Sequence, residues 1–246
     1  MPLYQDEGVV LRTAKLGEAD RILTLLTRDH GKVRAVAKGV RRTKSRFGGR
    51  LEPFMRVALL IAEGRSLDVV SQAESIAAYA GPICADFQAY TAANVICETA
   101  DKLVATEKEP AVAQYRLVLG ALNALAKHAH EPSTIGDSYV LRALAIAGWT
   151  PRLRVCVVCG EPISSTLSWY FSIPAGGLMC AADHTPESEA VSWDAICRLS
   201  ALVDGDWGEL DGVPAAASIQ RETHQIVEAW GEYYLERPIR SMRLLD

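Results

Sequence analysis

No run of about eighteen apolar residues occurs in the chain, so no membrane-spanning helix is expected. The first residues, Met1 to Glu7, lack the basic segment and apolar run of a secretory signal. The chain is therefore expected to be cytoplasmic. The usual constellations of catalysis are missing as well. There is no Gly-x-x-x-x-Gly-Lys-Ser/Thr phosphate cradle, no nucleophile–base pair and no carboxylate cluster. Asp20, Asp29 and Asp68 are scattered and are expected to be solvated or to cap turns. The His-x-Glu string that zinc deaminases need is absent; His128-Ala129-His130-Glu131 has the wrong spacing. Internal repeats and low-complexity tracts are absent too. An enzyme is not expected.

Cysteine is sparse and unevenly placed. Cys84, Cys97 and Cys197 stand singly in apolar, helix-like segments. The other three are grouped as Cys156-Val157-Val158-Cys159-Gly160 and Gly176-Gly177-Leu178-Met179-Cys180-Ala181-Ala182-Asp183-His184. This is not a disulfide framework, and reduced thiols suit a cytosolic chain. Two cysteines three apart place both sulfurs on one side of a tight turn, and a second such turn completes a tetrahedron. Gly160, Gly176 and Gly177 supply turns that bend backbone around an ion. Three thiolates need a fourth donor, and the sequence offers Asp183 or His184. Four protein donors close the site, so one structural zinc ion per chain is expected.

The net charge of −4 hides an asymmetry. Residues 1–80 carry 14 Lys/Arg against 9 Asp/Glu, and residues 81–246 carry 12 against 21. A basic module on an acidic body implies two domains with different partners. The basic module reads as β-structure. Apolar runs at 5–13, 21–28, 32–38, 53–62 and 67–73 are separated by turn signals such as Asp29-His30-Gly31. Five short strands suit a small closed barrel of the oligonucleotide-binding type. In the third run Val33, Ala35 and Ala37 share one face, so Lys32, Arg34 and Lys38 project from the other.

Between the third and fourth runs lies a segment with Lys38, Arg41, Arg42, Lys44, Arg46 and Arg50 among glycines and serines, plus one aromatic, Phe47. Flexible cations neutralise phosphates, and Phe47 is expected to stack on a base.

After Tyr79 the period changes to helical. Phe87, Tyr90, Ile96/Cys97, Ala100 and Leu103/Val104 form one stripe, and Val112 to Leu125 a second. A third helix is expected from a Ser133 cap to about Gly148, followed by a strand at 167–172, a helix at 193–202 and a last helix at 215–236. The fold class is thus α+β and multidomain. It has an N-terminal five-stranded OB-fold barrel (1–80) and a C-terminal α-helical domain (81–246) with an inserted zinc-ribbon element at about 150–187.

Three stretches together resemble the bacterial RecO family of recombination mediators. They are Glu7–Leu11 with Gly17–Thr27, Gly31–Arg42, and Cys156–Asp183. The resemblance implies binding of single- and double-stranded DNA, annealing of complementary strands, and assistance in loading RecA onto strands coated by single-strand binding protein. It implies RecR and the acidic C-terminal tail of single-strand binding protein as partners. At the fourth metal position the family usually has cysteine. Register puts Asp183 there, whereas donor softness favours His184. A tail pocket needs apolar walls and a cationic rim. Lys102, Arg116, Lys127, Arg142, Arg152 and Arg154 are the candidates, with Arg116 and Arg142 put forward first. The alternatives are a scaffold whose barrel binds RNA or protein, and a zinc-dependent nucleic-acid-processing enzyme.

Overall fold

The computed structural model describes residues 2–212 and 215–245. Five strands open the chain: β1 (Leu3–Leu16), β2 (Asp20–Thr27), β3 (Gly31–Ala37), β4 (Met55–Ala62) and β5 (Asp68–Ala78). They close into a barrel in the order β1-β2-β3-β5-β4, with β4 returning to β1. Every pairing is antiparallel except β3 with β5. This is the OB-fold barrel that the turn spacing predicts. Alternation works as expected in β3, where Val33, Ala35 and Ala37 are fully buried. The barrel core also takes Val10, Leu23, Leu25, Val57, Ile61 and Val70.

Buried polar groups fix the turns. The buried Asp6 carboxylate accepts from the backbone N–H groups of Glu7, Asp29 and His30 and lies 2.7 Å from His30 Nδ1. It thereby clamps the β2–β3 turn. Asp68 accepts from Tyr4 Oη (2.6 Å), from Gly64 N–H and from Lys108 Nζ. Burial works against that carboxylate's charge, but these donors hold its pKa below the usual range. Of the three scattered aspartates, Asp68 is thus buried and paired rather than solvated.

Two compact units are present, residues 1–132 and 133–246. The change from strand to helix comes at Tyr79, but the first unit continues through three helices. These are α1 (Ala80–Ala85), α2 (Phe87–Leu103) and α3 (Val112–Ala126). Asp86 caps α2 by accepting from Gln88 and Ala89 N–H. The helical stripe drawn from sequence through Phe87 and Tyr90 is corrected here. The buried face of α2 is built on Ala89, Ala92, Ala93, Ile96 and Ala100, whereas Phe87 and Tyr90 stand exposed. Small residues let the helix approach closely, so the core face shifts away from its largest side chains.

The second unit holds α4 (Pro132–Ile146), β6 (Trp169–Ser172), β7 (Gly177–Cys180), β8 (Glu189–Val191), α5 (Trp193–Asp204), α6 (Trp207–Gly212) and α7 (Ala217–Leu235). Pro132 opens α4, so Ser133 lies inside the helix rather than capping it. The three short strands form a sheet in the order β7-β6-β8. Phe171 of β6 meets buried Trp230 of α7 edge-on at 5.7 Å. Within the helices, buried His224 and Asp137 pair at 2.8 Å. No described helix is long and apolar enough to cross a membrane.

Candidate nucleic-acid interface and metal centre

The β3–β4 connection carries the cations and is fastened to the barrel along its length. Val40, Phe47 and Leu51 enter the barrel core, with Phe47 only 2% exposed. At its start Gly39 N–H donates to Asp20 Oδ1 (2.7 Å) and Arg41 N–H to Ala19 O (2.9 Å). Arg41 also donates through its guanidinium to the carbonyls of Gly17 and Glu18. The segment then turns through a short 3-10 helix at Gly48–Leu51. With its apolar residues pointing inward, its charged residues point out. Lys38, Arg41, Arg42, Lys44, Arg46 and Arg50 are all exposed. None of the six has a carboxylate within ion-pair distance among the described residues. The Arg50 guanidinium donates to Arg46 O, and Arg46 lies 4.8 Å over the buried Phe47 ring. Burial of Phe47 corrects the expectation that it stacks on a base. An aromatic flanked by cations looked like a contact residue, but the barrel needs it as a plug.

The face of β3 is corrected in the same way. Lys32 Nζ lies 2.6 Å from Asp101 Oδ1 and donates to the Asp101 carbonyl, and its side chain is only 12% exposed. Arg34 faces Glu107 at 3.7 Å. The connection between α2 and α3 runs along this strand, and Lys108 N–H donates to Lys32 O (2.9 Å). Burial opposes the Asp101 charge, but Lys32 and Arg12 hold its pKa below the carboxylate range. Lys32 is thus committed to an internal ion pair and Arg34 is partly neutralised. Lys38 is the one member of the set on that strand's edge left exposed and without an ion-pair partner.

The four metal-ligand candidates converge. One sulfur each from Cys156, Cys159 and Cys180 and a carboxylate oxygen of Asp183 all lie within 4.8 Å of one another. Cys159 and Cys180 sulfurs are 3.8 Å apart. A tetrahedral ion with bonds of about 2.3 Å separates neighbouring sulfurs by about 3.8 Å, so the spacing suits such an ion. Two turns supply the ligands. In the first, Gly160 (φ 79°) returns its N–H to Cys156 O (3.0 Å). In the second, Asp183 and His184 N–H both donate to Cys180 O. Val157 N–H to Leu178 O (2.8 Å) ties the first turn to β7. Gly177 is required by contact, because a Cβ there would run into the Arg152 backbone.

Electrostatics within the cluster follow from the hydrogen bonds. Burial raises the Cys156 thiol pKa, but N–H groups of Cys159, Cys180 and Val158 outweigh it and draw it down. The Asp183 carboxylate pushes the Cys159 thiol up to about 12. In turn the thiols of Cys159, Cys180 and Cys156 hold Asp183 below the carboxylate range. A cation held by these residues would take the place of the thiol protons, since thiolates are the ligand form. His184 is turned elsewhere. Its Nδ1–H donates to Ala181 O (2.9 Å) and its ring stacks on Tyr170 at 4.0 Å. Of the two candidate fourth donors, Asp183 is the one whose oxygen lies within the cluster.

The two arginines put forward for partner binding belong to different units. Arg116 is exposed on α3 in the first unit, but neighbouring Tyr115 is buried and forms no rim with it. Arg142 of the second unit lies against the backbone of Gly205 at the end of α5.

Comparison with known proteins covers both units. Residues 1–79 match the family model for the recombination protein O N terminal domain, and residues 84–243 that for its C terminal domain. A DNA repair protein RecO from Bifidobacterium adolescentis is 99% identical over 246 residues, covering 100% of each chain. Proteins of the same name from a Nocardioides species and from Thermobifida fusca are 47% and 45% identical, over 99% and 100% of this chain and 99% of each relative.

Removing one of four donors from a structural site should weaken metal binding on the order of 100-fold, a quarter of the binding free energy of such sites. Asp183→Ala should therefore lose metal on dialysis and loosen the ribbon to proteolysis. His184→Ala should retain it. Elemental analysis of both variants checks this, and metal loss confined to His184→Ala would overturn the ligand set.

Proposed function

The chain belongs to the recombination protein O family, and from that premise we propose that it mediates recombinational DNA repair by holding strands, without bond chemistry of its own. The observation that carries the proposal is the row of exposed cations on an anchored barrel segment, Lys38 to Arg50, with no carboxylate partners among the described residues. Neutralising phosphate is sequence-independent and leaves base edges free to pair. A surface of this kind binds single strands and duplex alike and lowers the repulsion between two strands being annealed. Family membership supports a wider role for such a surface in loading RecA onto strands coated by single-strand binding protein, with RecR as partner. The cytoplasm, on the nucleoid, is the place where that role is exercised. The ion of the second unit is assigned as zinc in a structural role. Three thiolates select a soft or borderline metal, and four protein donors leave no position for a reacting water.

A second component concerns the acidic, apolar tail of single-strand binding protein. A cleft of about 260 Å³ in the second unit is walled by Pro151, Leu153, Val155 and Val203 and rimmed by Arg152 and Arg154. Both arginines are exposed, although Arg154 contacts Asp204 at 3.0 Å. Apolar walls with a cationic rim match a peptide that carries carboxylates and an apolar end. This cleft replaces Arg116 and Arg142 as the proposed tail site.

Two measurements test these proposals. Replacing Lys38, Arg42, Lys44 and Arg46 by Gln should cut single-strand affinity more than 10-fold at low salt. It should also flatten the slope of log K against log salt by roughly 3, at about 0.7 per phosphate contact. An unchanged slope would show that the connection does not touch phosphate. Arg152→Ala combined with Arg154→Ala should weaken a fluorescent tail peptide by about 10-fold or more while leaving DNA affinity intact. Unaltered peptide binding would remove the cleft from the account.

A further inference from the structure

Phosphate contact alone does not distinguish a single strand from a duplex. With Phe47 buried, the basic connection has no aromatic of its own to offer a base. Other aromatics lie where the chain leaves the connection and returns to the barrel. Phe54 follows the cationic segment directly, four residues after Arg50, and is itself 2% exposed. Its N–H donates to Val10 O, so it is fixed on β1. The ring of Tyr90 meets Phe54 edge-on at 5.9 Å. Tyr90 is 44% exposed, and Phe87, one helical turn earlier on α2, is 73% exposed. Phe87 is the most exposed of the chain's described large apolar side chains.

Residues three apart on a helix are neighbours on one face. Phe87 and Tyr90 therefore form a pair of solvent-facing rings. Asp86, the acidic residue beside them, is occupied in capping α2 through the N–H groups of Gln88 and Ala89. Neither ring belongs to the buried face of α2, which is built on alanines and Ile96, and the Tyr90 contact with Phe54 still leaves that ring 44% exposed.

We propose that Phe87 and Tyr90 form a stacking platform for unpaired bases, continuous with the cationic β3–β4 connection through Phe54. The occupant is a single nucleic-acid strand. Its backbone follows Lys38 to Arg50, and its bases turn onto the two rings. Six cations without carboxylate partners select a polyanion, and flat exposed rings select the one polyanion that carries π-faces. In a duplex the bases are already stacked, so the platform gives the barrel a preference for single strands that its charges cannot supply. This inference rests on the DNA-binding reading above and adds the residues that touch bases.

A charge-neutral substitution separates the two. In the full chain, Phe87→Leu with Tyr90→Leu keeps apolar bulk and helix propensity, and removes only the π-faces. Anisotropy titrations with an oligo-dT strand and with a duplex of equal length, each over a range of salt, give the readout. The expected result is about a 10-fold or greater loss of single-strand affinity for the double variant, with duplex affinity and both salt slopes unchanged. Photo-crosslinking of a halogenated oligo-thymidine should label the peptide containing residues 87–90. Unchanged single-strand affinity in a protein that keeps its salt-dependent binding would overturn the platform alone. An equal loss on duplex would overturn it too, as would single-strand affinity unchanged alongside weakened binding of a partner protein. Absence of salt-dependent binding by the unmodified chain would overturn the DNA-binding reading along with it.

Discussion

The first unit depends on how its one cationic segment is fastened. Val40, Phe47 and Leu51 are sunk in the barrel core, while the residues between them carry the charge. Burying a side chain of that size is worth about 1.5–3 kcal/mol. Three such anchors oppose the mutual repulsion of six cations in thirteen residues, which would otherwise spread the segment into solvent. The hydrogen bonds from Gly39 and Arg41 to the β1–β2 turn act in the same direction. The result is a charged surface that is already ordered before a ligand arrives, so less entropy is lost on binding.

The same economy of partners sorts the remaining charges. Lys32, Arg12 and Lys108 pair with Asp101 and Asp68, which join the barrel to its helices. Those cations stabilise the unit and are spent internally. The six left over on the β3–β4 connection have no carboxylate within ion-pair distance among the described residues, although Glu18 and Asp20 lie beside its start. In the second unit, Cys156, Cys159, Cys180 and Asp183 converge on a point where a metal ion could sit. The ribbon strands have only three or four residues each, too few to form a stable sheet alone. The Phe171–Trp230 contact ties them to α7, and an ion held by the four converging donors would tie β7 to the first ligand turn.

Much of this was legible in the sequence because it is local. The five barrel strands, the five longer helices and both ligand turns follow from period, glycine and spacing, whereas the short helices α1 and α6 and the short strands β7 and β8 were not anticipated. What was not legible depends on partners far along the chain. Lys32 looks like a phosphate contact until Asp101, sixty-nine residues later, occupies it. Phe47 looks like a stacking residue until the barrel closes over it. Phe87 and Tyr90 fall at helical spacing with the core residues, yet α2 turns its alanines inward. A local pattern gives the face of an element; only packing decides which face is buried. The fourth metal donor was open for a related reason. Asp183 and His184 are adjacent, and it is the Tyr170 stack and the Ala181 carbonyl that take His184 away.

The central claim is that the anchored connection, and not the β3 face, meets phosphate. Lysine footprinting on the full chain tests it directly, because acetylation reports each Nζ separately. Lys38 and Lys44 should react readily in the free protein and be protected by an oligo-dT strand, with Lys32 slow to react in both states. Protection confined to Lys102 or Lys127, with Lys38 and Lys44 reacting equally with and without DNA, would contradict the account.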